Sequence, residues 1–74
     1  MNNKLQVGDY VTRHMGGAEL ELKITSIDDY FYHCGPWKFD KKTGAEVDEE
    51  LNWGPPPQHT GSYIILKSNN HKYN

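Results

Sequence analysis

Four histidines (His14, His33, His59 and His71) and one cysteine, Cys34, are the soft and borderline metal donors of this chain. No Cys-x-x-Cys or His-x-x-x-His spacing links them. His33 and Cys34 are adjacent, and neighbouring side chains of a strand leave on opposite faces, so the pair neither closes around one zinc nor forms a thiol–imidazole dyad. The second group with chemical potential is Glu46, Asp48, Glu49 and Glu50, which could supply paired carboxylates for acid/base work. Those acids lie beside Lys38, Lys41 and Lys42, and a solvated, salt-bridged hairpin is the expected outcome. Gly16-Gly17 precedes a strand instead of a helix N-terminus and makes no phosphate cradle. No catalytic residue, no metal and no cofactor is expected, and the chain reads as non-enzymatic.

The aromatic residues carry the remaining signal: Tyr10, Tyr30, Phe31, Tyr32, Trp37, Phe39, Trp53, Tyr63 and Tyr73, nine in a chain of 74. A domain of this size has one thin core and cannot bury them all. Trp37 and Phe39 fall on one face and are assigned to that core. Tyr10, Tyr32 and Trp53, with His14 at the rim, are the expected binding groove, since Tyr and Trp supply large, rigid contact area.

Charge and composition remove several partners. One Arg and seven scattered Lys against ten acids, for a formal charge of −2, give no basic stripe for duplex nucleic acid. The longest apolar run, Tyr63-Ile64-Ile65-Leu66, is far short of a spanning helix. Met1 to Asp9 lacks the apolar stretch of a signal peptide, and a lone cysteine suits a reducing compartment, so a cytoplasmic location is expected.

Short strands must position these residues, because no ten-residue stretch has apolar positions at helical spacing. Asp9 to Met15 and the alternating Glu19 to Thr25 form a hairpin about Gly16-Gly17, whose residues permit the positive φ of a two-residue primed turn. Its register places Met15 opposite Ala18, His14 opposite Glu19, Thr12 opposite Glu21 and Val11 opposite Leu22. Val11, Met15, Ala18, Leu20 and Leu22 then share the core side, with Arg13 among them, expected to snorkel out at an edge. Asp28-Asp29 turns the chain into a strand from Tyr30 to Cys34, and Gly35-Pro36 bends it again. Trp37-Lys38-Phe39 and Ala45-Glu46-Val47 are read as a hairpin with a five-residue loop ending at a left-handed Gly44, pairing Phe39 with Ala45, Lys38 with Glu46 and Trp37 with Val47. Asp48 caps one helical turn over 48–51. Gly54-Pro55-Pro56-Pro57 is an extended connector to the last strand, Ser62 to Leu66.

The sum is an all-β domain over residues 1–66, a small SH3-like barrel of about five short antiparallel strands, followed by a polar, disordered tail over 67–74. A short open sheet that dimerises is the alternative. Val7-Gly8-Asp9-Tyr10-Val11 with Arg13, Gly16-Gly17 and Leu20, Leu22 and Ile24 resembles the opening of the YodC-like family of small bacterial proteins. Cys34-Gly35-Pro36-Trp37-Lys38-Phe39-Asp40 with Thr43 to Asp48 and Trp53-Gly54 is similar to uncharacterised bacterial and phage proteins. The resemblance implies a β-rich fold and no activity, and the segment from Gly44 to Gly61 departs from the YodC-like pattern.

The expected function is a non-enzymatic interaction module or accessory regulator that binds another protein. The alternative is an oligomer that sequesters a small nucleotide-type ligand, the interface supplying the concavity one subunit lacks.

Overall fold

The computed structural model describes residues 4–69. Seven strands run in order: β1 (Tyr10–Met15), β2 (Ala18–Lys23), β3 (Ser26–Ile27), β4 (Phe31–Cys34), β5 (Trp37–Asp40), β6 (Glu46–Val47) and β7 (Ser62–Ile64). They form a three-stranded antiparallel sheet, β2-β1-β7, and a four-stranded one, β3-β4-β5-β6. The fold is all-β, with no helix among the described residues.

The β1–β2 hairpin has the expected register throughout, from Met15 opposite Ala18 to Tyr10 opposite Lys23. Its loop, Gly16-Gly17, has φ of 55° and 90°, the two positive values that a primed turn demands. What differs is the depth of burial. Val11 is fully buried and Leu22 half-buried, but Met15, Ala18 and Leu20 are exposed. The four-stranded sheet covers only the base of the hairpin, and its tip projects into solvent.

The β5–β6 hairpin corrects the expected register by one residue. Phe39 stands opposite Glu46 and Lys38 opposite Val47, while Asp40 N–H donates to Ala45 O at 2.8 Å. The loop is four residues long because Asp40 belongs to the ladder and its carboxylate folds back, accepting from the N–H groups of Lys42 and Thr43, each at 2.9 Å. Gly44 closes the loop at φ 83°, as expected. A slip of one residue transfers every side chain of a strand to the other face. Glu46, placed in solvent by the sequence reading, is therefore carried inward and is 2% exposed.

The chain between β6 and β7 also departs from expectation. Asp48 Oδ1 does accept from the N–H groups of Glu50 and Leu51, yet no helical turn follows. Asn52 takes φ of 62°, and Asp48 and Trp53 exchange backbone hydrogen bonds of 3.1 and 3.0 Å in a tight reversal. The prolines do not extend. Gln58 N–H donates to Pro55 O at 2.9 Å across a cis Pro56-Pro57 peptide, which turns the connector back on itself. The stretch expected to fray is held as far as Asn69, which donates from its N–H to Tyr10 O and from Nδ2 to Thr12 Oγ1, both at 2.7 Å. The rest of the expected tail, 70–74, with His71 and Tyr73, lies outside the described residues.

Both sheets enclose one core of Leu5, Val11, Ile24, Tyr32, Cys34, Phe39 and Ile64, with Leu22, Ile27, Trp37 and Leu66 packed at its margin. The sheets meet at two seams. Ile64 N–H donates to Gly44 O at 2.9 Å beside the Ala45–Tyr63 bridge, and the chain passes through Ile24-Thr25 from β2 to β3. The ladders are not continuous around these seams, so the architecture is two facing sheets and not a closed barrel.

Candidate functional site

Tyr10, Thr12 and His14 leave β1 on the face opposite Val11 and Arg13, because strand side chains alternate. β7 lies on one flank, with His14 opposite Tyr63, and β2 on the other, with His14 opposite Glu19. The alternation holds in β7 as well: Ser62 and Ile64 are buried, while Tyr63 and Ile65 are 45% and 43% exposed. Three rows therefore cross the outer face of this sheet: Glu19–His14–Tyr63, Glu21–Thr12–Ile65, and Lys23–Tyr10. The His14 and Tyr63 rings stack with centroids 5.1 Å apart and planes 12° from parallel. Glu19 Oε2 lies 3.7 Å from His14 Nδ1, and Lys23 Nζ lies 6.0 Å from the Tyr10 ring centre. The result is a flat, half-exposed aromatic surface with acidic residues along one side.

Of the four residues expected to form a groove, the structure puts Tyr10 and His14 on this face and separates the other two. Tyr32 is 8% exposed and belongs to the core, a correction that follows from its place opposite Phe39 on the inner face of β4. Trp53 is half-buried in the loop between β6 and β7, its ring against Gly61, where an added Cβ would sit 2.7 Å from Cζ2. Tyr63 is the member that sequence reasoning missed. Its signal was available in the alternation of Ser62 to Ile65, which exposes every second residue of an otherwise apolar run.

Inside the sandwich, Arg13 does not snorkel outward. It is 5% exposed, donates from Nη2 to Glu46 Oε1 at 2.6 Å and from Nε to Ser62 Oγ at 2.8 Å, and holds its guanidinium carbon 4.5 Å from the Trp37 ring centre. Its charge is met internally by Glu46, and no buried side-chain nitrogen or oxygen among the described residues lacks a partner. This is a structural cross-tie between the sheets.

The remaining donors are engaged locally. His33 Nε2 donates to Asp28 Oδ2 at 2.7 Å. That bond, with the Tyr30 and Phe31 N–H groups on Oδ1, pulls the Asp28 carboxyl down to about 2. Cys34 points the other way, into the core, where desolvation pushes its thiol up to about 11. A depression of about 350 Å³ beside β6 is lined by Pro36, Lys38, Val47 and the four acids Glu46, Asp48, Glu49 and Glu50. Three of those acids have partners: Glu46 has Arg13, Asp48 has backbone N–H groups, and Glu49 has Lys38 Nζ at 3.0 Å, a bond that holds its carboxyl below the usual range. Asp48 and Glu49 hold their own hairpin and loop together, and Glu46 belongs to the cross-tie. Among the described residues, no group of three or more His, Cys, Asp or Glu could hold a metal ion, and no helix is long and apolar enough to cross a membrane.

Comparison with protein-family models, with curated proteins and with solved structures finds no match to this chain.

Proposed function

We propose that this chain is a non-enzymatic, cytoplasmic interaction module of the YodC-like kind, which binds another protein through the outer face of its three-stranded sheet. The two facing sheets with their two seams are read as an opened SH3-like barrel. One observation carries the binding role: the His14–Tyr63 stack, half-exposed at the centre of a flat face that Tyr10 and Ile65 extend. A flat surface of rigid aromatic rings with polar neighbours favours a macromolecular partner, whose contact area offsets the loss of freedom on association. The alternative, sequestration of a nucleotide-type ligand by an oligomer, is served less well. The charge beside the stack is Glu19, 3.7 Å from His14 Nδ1, which repels phosphate.

A photo-crosslinking residue at position 63 tests the proposal in cells. A discrete protein adduct is expected, absent when the same residue replaces Tyr30, which is 72% exposed on a turn away from this face, and weakened by His14→Ala. Equal labelling from both positions counts against a partner face here.

A further inference from the structure

The edges of the two sheets are not alike. β3 and β6, which border the four-stranded sheet, have two residues each, and β7 is partly paired along its far side through Ala45. β2, the edge of the three-stranded sheet, has six, of which only Leu22 is not exposed.

Which backbone groups β2 offers follows from the hairpin. In a two-residue primed turn the flanking residues, Met15 and Ala18, exchange hydrogen bonds, and the pattern repeats at every second residue. Ala18, Leu20 and Leu22 therefore spend their N–H and C=O groups on β1. The other flank of β1 agrees, since Thr12 and Tyr10 turn their carbonyls to Ile65 and Asn69. Glu19, Glu21 and Lys23 aim their backbone groups outward, and no hydrogen bond among the described residues reaches them. A long strand with a row of unused donors and acceptors is a template for another strand.

The side chains select that strand. We infer that β2 pairs antiparallel with β2 of a second copy of this chain, about a two-fold axis at Glu21, to join two three-stranded sheets into one. In this register Glu19 faces Lys23 of the other copy at both ends, and Leu20 faces Leu22. Glu19, Glu21 and Lys23 all find partners for their outward groups, with roughly six main-chain hydrogen bonds. The neighbouring registers are poorer. Shifting the axis to Leu20 sets Glu19 against Glu21 twice, and shifting it to Leu22 sets Glu21 against Lys23 but brings Glu19 to Thr25, whose N–H is already given to His33, which leaves roughly four of the six main-chain bonds. Leu20, 46% exposed on the overhanging tip, gains an apolar neighbour. The cost is the meeting of Glu21 with its own copy. This inference does not depend on the outer face having a partner of its own.

Sedimentation velocity and native mass spectrometry on the full chain, with circular dichroism to verify folding, decide it. A reversible monomer–dimer equilibrium is expected below about 1 mM. Glu21→Pro removes an outward N–H that β1 does not use, so it should leave a folded monomer. Lys23→Glu should weaken the dimer about tenfold, and the exchange Glu19→Lys with Lys23→Glu should return it to near the starting affinity. Glu21→Thr should tighten it by relieving the central repulsion. If the proline variant fails to fold, the charge exchange and Glu21→Thr decide alone. A chain monomeric at 1 mM, a dimer that survives a folded Glu21→Pro, or a charge exchange that recovers nothing overturns the inference.

Discussion

Arg13 Nη2 donates to Glu46 Oε1 at 2.6 Å across the interior, from the central strand of one sheet to the edge strand of the other. Ser62 and the Trp37 ring complete the guanidinium's surroundings. Taking both charges out of water is costly, and their attraction recovers that cost only in combination, so the pair acts more as a register pin than as a source of net stability.

Removal of one partner should therefore be far worse than removal of both. Arg13→Met leaves Glu46 as an uncompensated buried charge and is expected to cost about 3–5 kcal/mol in chemical denaturation. The double variant Arg13→Met with Glu46→Met should recover most of that loss. Additive effects of the two substitutions would show that the residues are not coupled.

Read from sequence, the first hairpin is legible in full because two independent cues agree there: a turn that only Gly-Gly satisfies at two positive φ values, and a clean apolar alternation. The second hairpin offers competing cues. Pairing Lys38 with Glu46 looks favourable locally, and that attraction conceals the true register, which is set by the distant Arg13. The one anomaly visible in the sequence was Arg13 itself on the core side, and a buried cation requires a buried anion. The face built around His14 and Tyr63 joins residues 49 positions apart, so it depends on β7 docking beside β1, which no local pattern encodes. Tyr32 was misplaced because alternation in a strand with aromatic residues on both faces does not say which side is inside, and Trp53, in the loop between β6 and β7, has no alternation to place it.

Asp28 should govern the acid limb of stability. Its carboxyl is held at about 2 instead of 3.8, so the folded state prefers the ionised form. That contribution is full above about pH 4 and is lost as pH falls towards 2. Asp28→Asn keeps an oxygen for the Tyr30 and Phe31 N–H groups but removes the ionised bond to His33. Urea midpoints measured from pH 6 downwards should fall less steeply below about pH 4 for the variant than for the parent. Identical acid slopes would falsify the assignment.

Cys34 should be inert while the chain is folded. With its thiol raised from 9.0 to about 11, the reactive thiolate at pH 8 is reduced roughly a hundredfold relative to the unfolded chain, and burial blocks access as well. Iodoacetamide should label it slowly under native conditions and rapidly in denaturant. Rapid native labelling would place the sulfur at the surface.

Two glycines of similar backbone conformation should respond very differently to alanine. Gly17 and Gly44 have φ of 90° and 83°. A Cβ at Gly17 meets nothing, whereas one at Gly44 collides with the Ile64 carbonyl oxygen, at the seam between the sheets. Gly17→Ala should cost about 1–2 kcal/mol, the conformational penalty alone. Gly44→Ala should cost clearly more and loosen β7, visible as faster amide exchange at Ile64. Equal losses would mean that the seam yields without consequence.

The hydrogen bond from Asn69 to Tyr10 gives the domain a particular mechanical character. The chain enters β1 and departs after β7 at the same end of an antiparallel pair. Tension applied through the flanking residues loads these bonds one after another, first Asn69 to Tyr10, then Ile65 to Thr12, then the rungs between His14 and Tyr63. The pair is placed to open like a zipper, one bond at a time, instead of shearing as a block.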